Sequence, residues 1–163
     1  MSKKTVSESK VYYDYGVMAG DLNTGGSMYG PKIIDICDHC SGQCATRHIR
    51  GPVATISVDT VQFIRPLFLG DFLHAESMVS GVGNTSIEIF TKIFVEKPLT
   101  GEKSLACICF LTFKAKEAKK GELPEIIPET EEEKLLIAGY EERRKINKER
   151  QNYNQKIRDF YEN

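Results

Sequence analysis

Residues 23–38 read NTGGSMYGPKIIDICD, a glycine-rich turn that leads directly into an apolar helical run with carboxylates on it. Aspartate has poor helix propensity and its charge is costly to bury, so the position of Asp38 inside this run needs a reason. The glycines, Gly30 among them, permit close backbone approach at the helix entry, where free N–H groups attract negative charge. Together with the amide of Asn23, these groups indicate a site for carbonyl chemistry.

Chain length and composition limit the class of protein. The 163 residues, of which 40% are apolar, predict one globular domain with a real core. A formal net charge of -1 removes the electrostatic argument for nucleic acid as a partner. No apolar run approaches the roughly 20 residues that span a membrane, and residues 1–10 lack the apolar core of a secretory signal. We therefore expect a cytoplasmic protein with neither a nucleic-acid nor a membrane partner.

The cysteine pattern indicates reduced thiols. There are five cysteines, an odd number, which fits intracellular thiols better than a disulfide framework. A metal-binding alternative comes from four residues that recur at helical spacing: Cys37, Cys40, Cys44 and His48. Zinc ligands usually come from turns or from two separated elements, so packing of small, soft side chains is the favoured interpretation and no metal site is predicted.

The periodicity of the chain predicts an α+β protein. Residues 11–17 resemble a short strand, and residues 27–48 a long helix in which Pro31 is tolerable because it falls in the first turn. Four longer strands follow, at residues 53–63, 72–79, 85–95 and 103–114. Because the connections between these strands are short, we expect an antiparallel sheet with the helix covering one face.

Beyond residue 116 the composition changes. Residues 117–128 are predicted as a charged linker, and residues 129–161 as a charged helix with acidic residues first and basic residues later. The expected apolar anchors of this helix are Leu135, Leu136, Ile137 and Tyr140. Its basic cluster at residues 143–145 is either a solvated surface or a phosphate-binding site, and the sequence leaves both open.

Four motifs in register resemble one protein family. They are the segment from Asn23 to Asp38, then residues 55–63 (TISVDTVQF), residues 66–71 (PLFLGD) and residues 83–86 (GNTS). These motifs are similar to those of the hotdog-fold acyl-CoA thioesterases, in the branch of YciA/YkhA and brain acyl-CoA hydrolase. The resemblance extends over residues 8–150, and residues 8–116 are expected to form the hotdog domain.

The resemblance implies a fold, an assembly and an activity. A hotdog protein has a long central helix wrapped by a curved antiparallel sheet, and its protomers form a homodimer that is obligatory for the site, commonly as a trimer of dimers. In this family an asparagine of one protomer faces the helix aspartate of its partner. By that match Asn23 and Asp38 are the catalytic pair for hydrolysis of acyl-CoA to a free acid and coenzyme A, with no separate cofactor.

The chemistry is consistent with these residue types. Asp38 can act as a general base on water or attack the thioester directly. The backbone near Gly30 would stabilise the oxyanion, and Asn23 would orient the water or the carbonyl. Two departures from the family stand out: Pro31, where a second glycine is usual, offers no N–H, and His39 follows Asp38 where relatives often have an acidic residue.

The expected contacts to the coenzyme are polar and basic. The candidate substrate-binding residues are Thr85, Ser86, Arg65, Arg47 and Arg143. For each of them an ordinary surface or strand-start role is the alternative. Two other functions are also open. A non-catalytic acyl-CoA sensor would usually carry a DNA-binding segment, and a hotdog dehydratase would need an aspartate–histidine pair at a different spacing.

Overall fold

The structure is a computed structural model that describes residues 2–119 and 121–162. The strands are β1 (Lys3–Thr5), β2 (Val11–Gly16), β3 (Val53–Phe63), β4 (Phe72–Val82), β5 (Ser86–Glu96), β6 (Lys103–Ala115) and β7 (Glu125–Ile127). The α-helices are α1 (Gly30–Ile49), α2 (Glu131–Ala138) and α3 (Tyr140–Glu162). The predicted α+β class is confirmed.

Five strands form one antiparallel sheet in the order β2-β4-β5-β6-β3. Strands β4, β5 and β6 are sequential neighbours, as the short connections predicted. Strand β3, which follows the helix in sequence, pairs with β6 and so lies at one edge. That position leaves one side of an eleven-residue strand open.

Helix α1 lies on the inner face of the sheet. Pro31 occupies its first turn, and the helix ends at Arg50, whose backbone is left-handed at φ 54°. The helix begins at Gly30, later than predicted, because Ser27 and Met28 form isolated β-bridges instead. Its buried face includes Ile33 and Ile36 and packs into the principal apolar core.

All five cysteines belong to this core and are free thiols. Burial raises the pKa of Cys40 to about 11. Burial is also the main cause that raises the pKa of Cys44, to about 12. The burial of all five side chains in the apolar core confirms the packing interpretation.

The C-terminal charged segment is two helices rather than the single helix predicted. Gly139 separates α2 from α3, and Thr130 and Glu133 form a reciprocal capping box at the start of α2. Leu136 and Ile137 pack into a second apolar cluster on the outer face of the sheet. The predicted anchor Leu135 is wrong, because its side chain is 75% exposed.

The predicted linker contains a strand. Within residues 117–128, β7 pairs in parallel with β1 near the N-terminus. Between them and the sheet, Val6 is fully buried. The N-terminal strand is therefore joined to the segment that precedes α2, a long-range pairing that local composition does not reveal.

Candidate active site

Asn23 lies in the loop before α1, where its side chain is held by a local turn. Its Oδ1 accepts hydrogen bonds from the N–H groups of Gly25 at 2.8 Å and Ser27 at 3.3 Å. Its Nδ2 donates to the Ser27 hydroxyl at 3.2 Å. This is ordinary asparagine turn chemistry, and it also holds an exposed amide in one orientation.

The start of α1 presents a single backbone donor beside Asn23. The N–H groups of Lys32 and Ile33 donate to the carbonyl of Tyr29, and Pro31 has no N–H. Within the described part of the chain, the Gly30 N–H is therefore the backbone donor at the helix start that has no backbone acceptor. Asn23 and Gly30 line the same groove, which has a volume of about 360 Å³.

Asp38 lies two turns further along α1 and is half-buried. Its Oδ1 accepts a hydrogen bond from the Thr55 hydroxyl at 2.8 Å, across to the start of β3. Sequence reasoning did not single out Thr55, although it belongs to the TISVDTVQF motif. The only signal in the sequence that could have identified Thr55 was a hydroxyl on the inward face of the strand next to the helix. The register of β3 against α1 was needed to show that its partner is Asp38.

The groove that holds Asp38 is a different one. Its volume is about 580 Å³, and its lining includes Thr55, Val53 and Phe113. The Asn23 groove is lined by the other end of the same strand, at Phe63. Within one copy of the chain, the structure therefore places Asn23 with Gly30, and Asp38 with Thr55, at opposite ends of β3.

Comparison with known proteins decides the family. The sequence profile of the thioesterase superfamily matches residues 25–102. YkhA of Bacillus subtilis, an uncharacterized acyl-CoA thioester hydrolase, is 36% identical over 152 residues, which cover 92% of this chain and 88% of that protein. The chain belongs to the hotdog-fold acyl-CoA thioesterase family. The thioesterase is accordingly an enzyme of the acyl-CoA thioester hydrolase class.

Solved structures agree with this assignment. An acyl-CoA hydrolase from Bacillus cereus superposes with a TM-score of 0.92 at 34% identity, over 98% of both chains. The acyl-CoA hydrolase of Staphylococcus aureus, in a complex with butyryl coenzyme A, coenzyme A and coenzyme A disulfide, gives 0.92 at 29% identity over 99% of both chains. The hotdog fold predicted for the thioesterase is confirmed.

His39 does not form a dyad with Asp38 in the thioesterase. Its Nε2 contacts Gln43 Nε2 at 2.9 Å, although His39 and Gln43 both line the Asp38 groove. On the same helix, Asp35 is exposed and lies 3.5 Å from the ammonium of Lys32. Asp38 is therefore the carboxylate of α1 that faces a groove.

Two of the predicted arginines line the two grooves. Arg47 lies in the Asp38 groove and donates to the carbonyl of Lys10 at 2.7 Å. Arg65 lies in the Asn23 groove and donates to the carbonyl of Leu105 at 2.8 Å. Each guanidinium has further N–H groups, so both arginines can still meet an anion.

The remaining candidates lie away from both grooves. Thr85 accepts a hydrogen bond from Lys114 at 2.6 Å, and Ser86 lines a cleft under α3 on the outer face. Arg143 donates to the buried carboxylate of Glu88 at 2.8 Å and to the carbonyl of Leu136 at 2.7 Å. These contacts favour a structural role for Arg143, one of the two alternatives that the sequence left open.

No helix in the described ranges, 2–119 and 121–162, is long and apolar enough to cross a membrane. The same residues contain no cluster of three or more His, Cys, Asp or Glu side chains that could hold a metal ion.

Proposed function

We propose that this thioesterase hydrolyses acyl-CoA at a site shared between two copies of the chain. One copy supplies Asp38, held by Thr55, and the other supplies Asn23 and the Gly30 N–H. The products are a free acid and coenzyme A, and coenzyme A is part of the substrate rather than a cofactor.

The observation that carries this proposal is the placement of the two half-sites along one edge strand. Thr55 marks the Asp38 groove near the start of β3, and Phe63 marks the Asn23 groove at its end. When two copies of a strand pair antiparallel about a two-fold axis, the start of each meets the end of the other. Pairing through β3 would therefore join each Asp38 groove to the Asn23 groove of the second copy.

The edge itself favours such pairing. Strand β3 is long, and its Ile56 and Val58 side chains are 54% and 42% exposed. Natural proteins usually cover, shorten or charge an edge strand of this kind, because it otherwise pairs with any available strand. A second copy is the cover that also completes the site.

The chemistry follows from the groups in the joined groove. The Asp38 carboxylate either removes a proton from water or attacks the thioester carbonyl itself. The Gly30 N–H donates to the developing oxyanion at the positive end of α1, and Asn23 orients the water or the carbonyl. Because a thiol has an ordinary pKa of about 8.5, the thiolate of coenzyme A leaves without a strong general acid.

The relatives support this assignment. Solved structures of the Staphylococcus aureus acyl-CoA hydrolase include three variants in which an aspartate, an asparagine or a threonine is replaced by alanine. The three replaced residues are spaced along that chain as Asp38, Asn23 and Thr55 are along this one. Two other similar structures are described as hexameric thioesterases. We accordingly propose a homodimer that assembles further into a trimer of dimers.

The coenzyme contacts remain proposals. Arg47 and Arg65 are the best placed, because each lines one half of the joined groove. Thr85 and Ser86 would contact the coenzyme only if it extends to the outer side of the sheet. Arg143 would have to give up Glu88 to bind a phosphate.

The first test is free-thiol release from acyl-CoAs of increasing length. We expect turnover by the native chain and at least about a hundredfold lower kcat in Asp38→Ala, with the fold retained, because a positioned base or nucleophile contributes that much or more. Asp35→Ala on the same helix is the matched control and should hydrolyse normally. Unchanged turnover in Asp38→Ala would contradict the assignment, and acyl-CoA binding by the native chain without thiol release would favour the sensor function.

The second test asks whether the site is shared. Asn23→Ala and Asp38→Ala chains are co-expressed, so that mixed dimers form. Each mixed dimer has one site with both lesions and one site with neither, so about a quarter of native activity should return. A mixture as inactive as its two components would show that each site lies within one copy.

A further inference from the structure

Helix α3 runs across the strands on the outer face of the sheet. Four of its residues lie in turn over four neighbouring strands, β4, β5, β6 and β3: Tyr140 on Gly81, Arg143 on Glu88, Asn147 beside Thr112, and Arg150 on Asp59. Each step of three or four residues advances about 5 Å, which matches the strand spacing of about 4.8 Å. The helix therefore reaches the β3 edge at Arg150.

Beyond that edge the helix continues with no sheet of its own beneath it. Residues 151–162 extend about 18 Å further, and every one of them is exposed. Three or four more strands would fit under this length. An exposed helical extension of this size needs a partner to be stable in one orientation.

An apolar stripe begins at Ile146, just before Arg150, and continues along the extension. Its members recur at heptad-like intervals and are exposed by 47%, 64%, 45% and 78%: Ile146, Tyr153, Ile157 and Phe160. On a helical projection this stripe lies about 90° around from the residues that face the sheet. The stripe therefore lies on one flank of α3, where a parallel or antiparallel neighbouring helix would contact it.

The proposed shared site also fixes where a second copy must lie. Joining Thr55 of one β3 to Phe63 of the other requires a two-fold axis near Asp59, midway between them. The Arg150 guanidinium donates to the Asp59 carbonyl at 2.6 Å. Helix α3 thus crosses β3 where the axis passes, and an element at a two-fold axis meets its own copy.

We propose that the α3 helices of two copies pack side by side and antiparallel across this axis, through the flank of Ile146, Tyr153, Ile157 and Phe160. The inference rests on the proposed two-copy site and adds to it a second, helical contact on the opposite side of the joined sheet. Each α3 extension then lies over the outer face of the partner's sheet.

The register of this pair follows from the strand spacing. The axis lies half a strand spacing, about 2.4 Å, beyond β3, which is about one and a half residues past Arg150 along α3. Residues equally distant from that point face each other. Ile146 therefore meets Ile157 of the partner subunit, and the Arg150 guanidinium lies against the ring of Tyr153 of the partner subunit.

The experiment is disulfide trapping in the full chain. Ile146→Cys and Ile157→Cys are combined in one variant; both positions are half-exposed, so the fold should tolerate them. Within one helix the two positions are about 16 Å apart, too far for a disulfide, so only a second copy can complete the bond. We expect mild oxidation to convert most of the chain to a covalent dimer on a non-reducing gel.

The matched control is Lys148→Cys with Asp159→Cys. These exposed positions have the same separation along α3 but lie on its other flank, so we expect at least about tenfold less covalent dimer. Equal trapping in the two variants, or a ladder of species above the dimer, would overturn the two-fold helix pair. Absence of a covalent dimer while co-expressed Asn23→Ala and Asp38→Ala chains still regain activity would overturn the helix pair alone and leave the shared site standing.

Discussion

The two faces of the five-stranded sheet are covered by helices that are attached in different ways. On the inner face, α1 buries aliphatic and cysteine side chains in a continuous apolar core. On the outer face, α2 packs into a smaller apolar cluster. Ion pairs fasten both outer helices: Arg143 of α3 pairs with Glu88, and Glu133 of α2 pairs with Lys10. Apolar burial provides most of the folding free energy, whereas paired charges set direction and register.

This difference separates stability from chemistry. The inner face holds α1 rigidly and leaves its polar groups at the two ends of β3, where the proposed site forms. The outer face directs α3 across the sheet and leaves its distal half exposed. Three changes, in decreasing order of effect, test whether the two faces are as distinct as the contacts indicate.

The largest effect is expected on the outer face, from Glu88→Ala. The Glu88 carboxylate is 3% exposed and accepts hydrogen bonds from Arg143 and from the Ser80 hydroxyl at 2.7 Å. The Arg143 guanidinium also lies 4.5 Å from the centroid of the Phe110 ring. Removing the Glu88 carboxylate leaves this charge without its acidic partner, so urea unfolding should show a loss of about 2 to 3 kcal/mol. This figure lies below the usual range for a buried pair because the Arg143 side chain is 22% exposed.

The control for that change is Glu141→Ala. Glu141 pairs with Arg144 at 3.4 Å on the surface of α3, and its loss should cost less than about 1 kcal/mol. Thiol release per folded molecule should not change in either variant. Equal destabilisation by both variants would mean that the outer face is not held by its buried pair.

The second change, Thr55→Val, acts at the rim of the inner face. It removes the hydroxyl that orients the Asp38 carboxylate and keeps the shape of the side chain. We expect kcat for thiol release to fall about tenfold, equivalent to about 1.4 kcal/mol, with little change in unfolding. Thr55→Ser should restore most of the activity; if Thr55→Val is fully active, the hydroxyl has no positioning role.

The smallest effect concerns His48, where α1 meets the N-terminal segment and the segment before β7. The ring is fully buried between the Ser9 hydroxyl at 3.0 Å and the Pro124 carbonyl at 3.0 Å. Burial lowers the pKa of His48, against the opposing effect of the Pro124 hydrogen bond. The unfolded chain takes up a proton near the ordinary pKa of about 6.5, whereas the folded chain resists it.

Stability from His48 is therefore present above about pH 6.5 and is lost as the pH falls towards the lowered pKa of the folded state. His48→Gln can keep both hydrogen bonds but cannot titrate in this range. Between pH 7 and pH 5.5 the native chain should lose about 1 kcal/mol more than the variant in urea unfolding. Parallel pH profiles of the two proteins would contradict this account.

Local sequence patterns were sufficient to predict most of the secondary structure. The richness of residues 53–63 in valine, isoleucine and threonine predicted β3 with the bounds observed, because strand composition is a local property of the sequence. The break at Gly139, the exposure of Leu135 and the β1–β7 pairing were not predicted. Each depends on what lies opposite in space, and composition does not specify that.

The identity and spacing of Asn23, Gly30 and Asp38 follow from the amino-acid chain alone, because a turn followed by a helix is a local property of residues 23–38. The fold was needed to show that Asn23 and Asp38 of one copy line separate grooves, that Thr55 holds Asp38, and that Arg143 is paired with Glu88. The reason is the register of β3 and α3 on the sheet, which is set by packing between residues far apart in the chain.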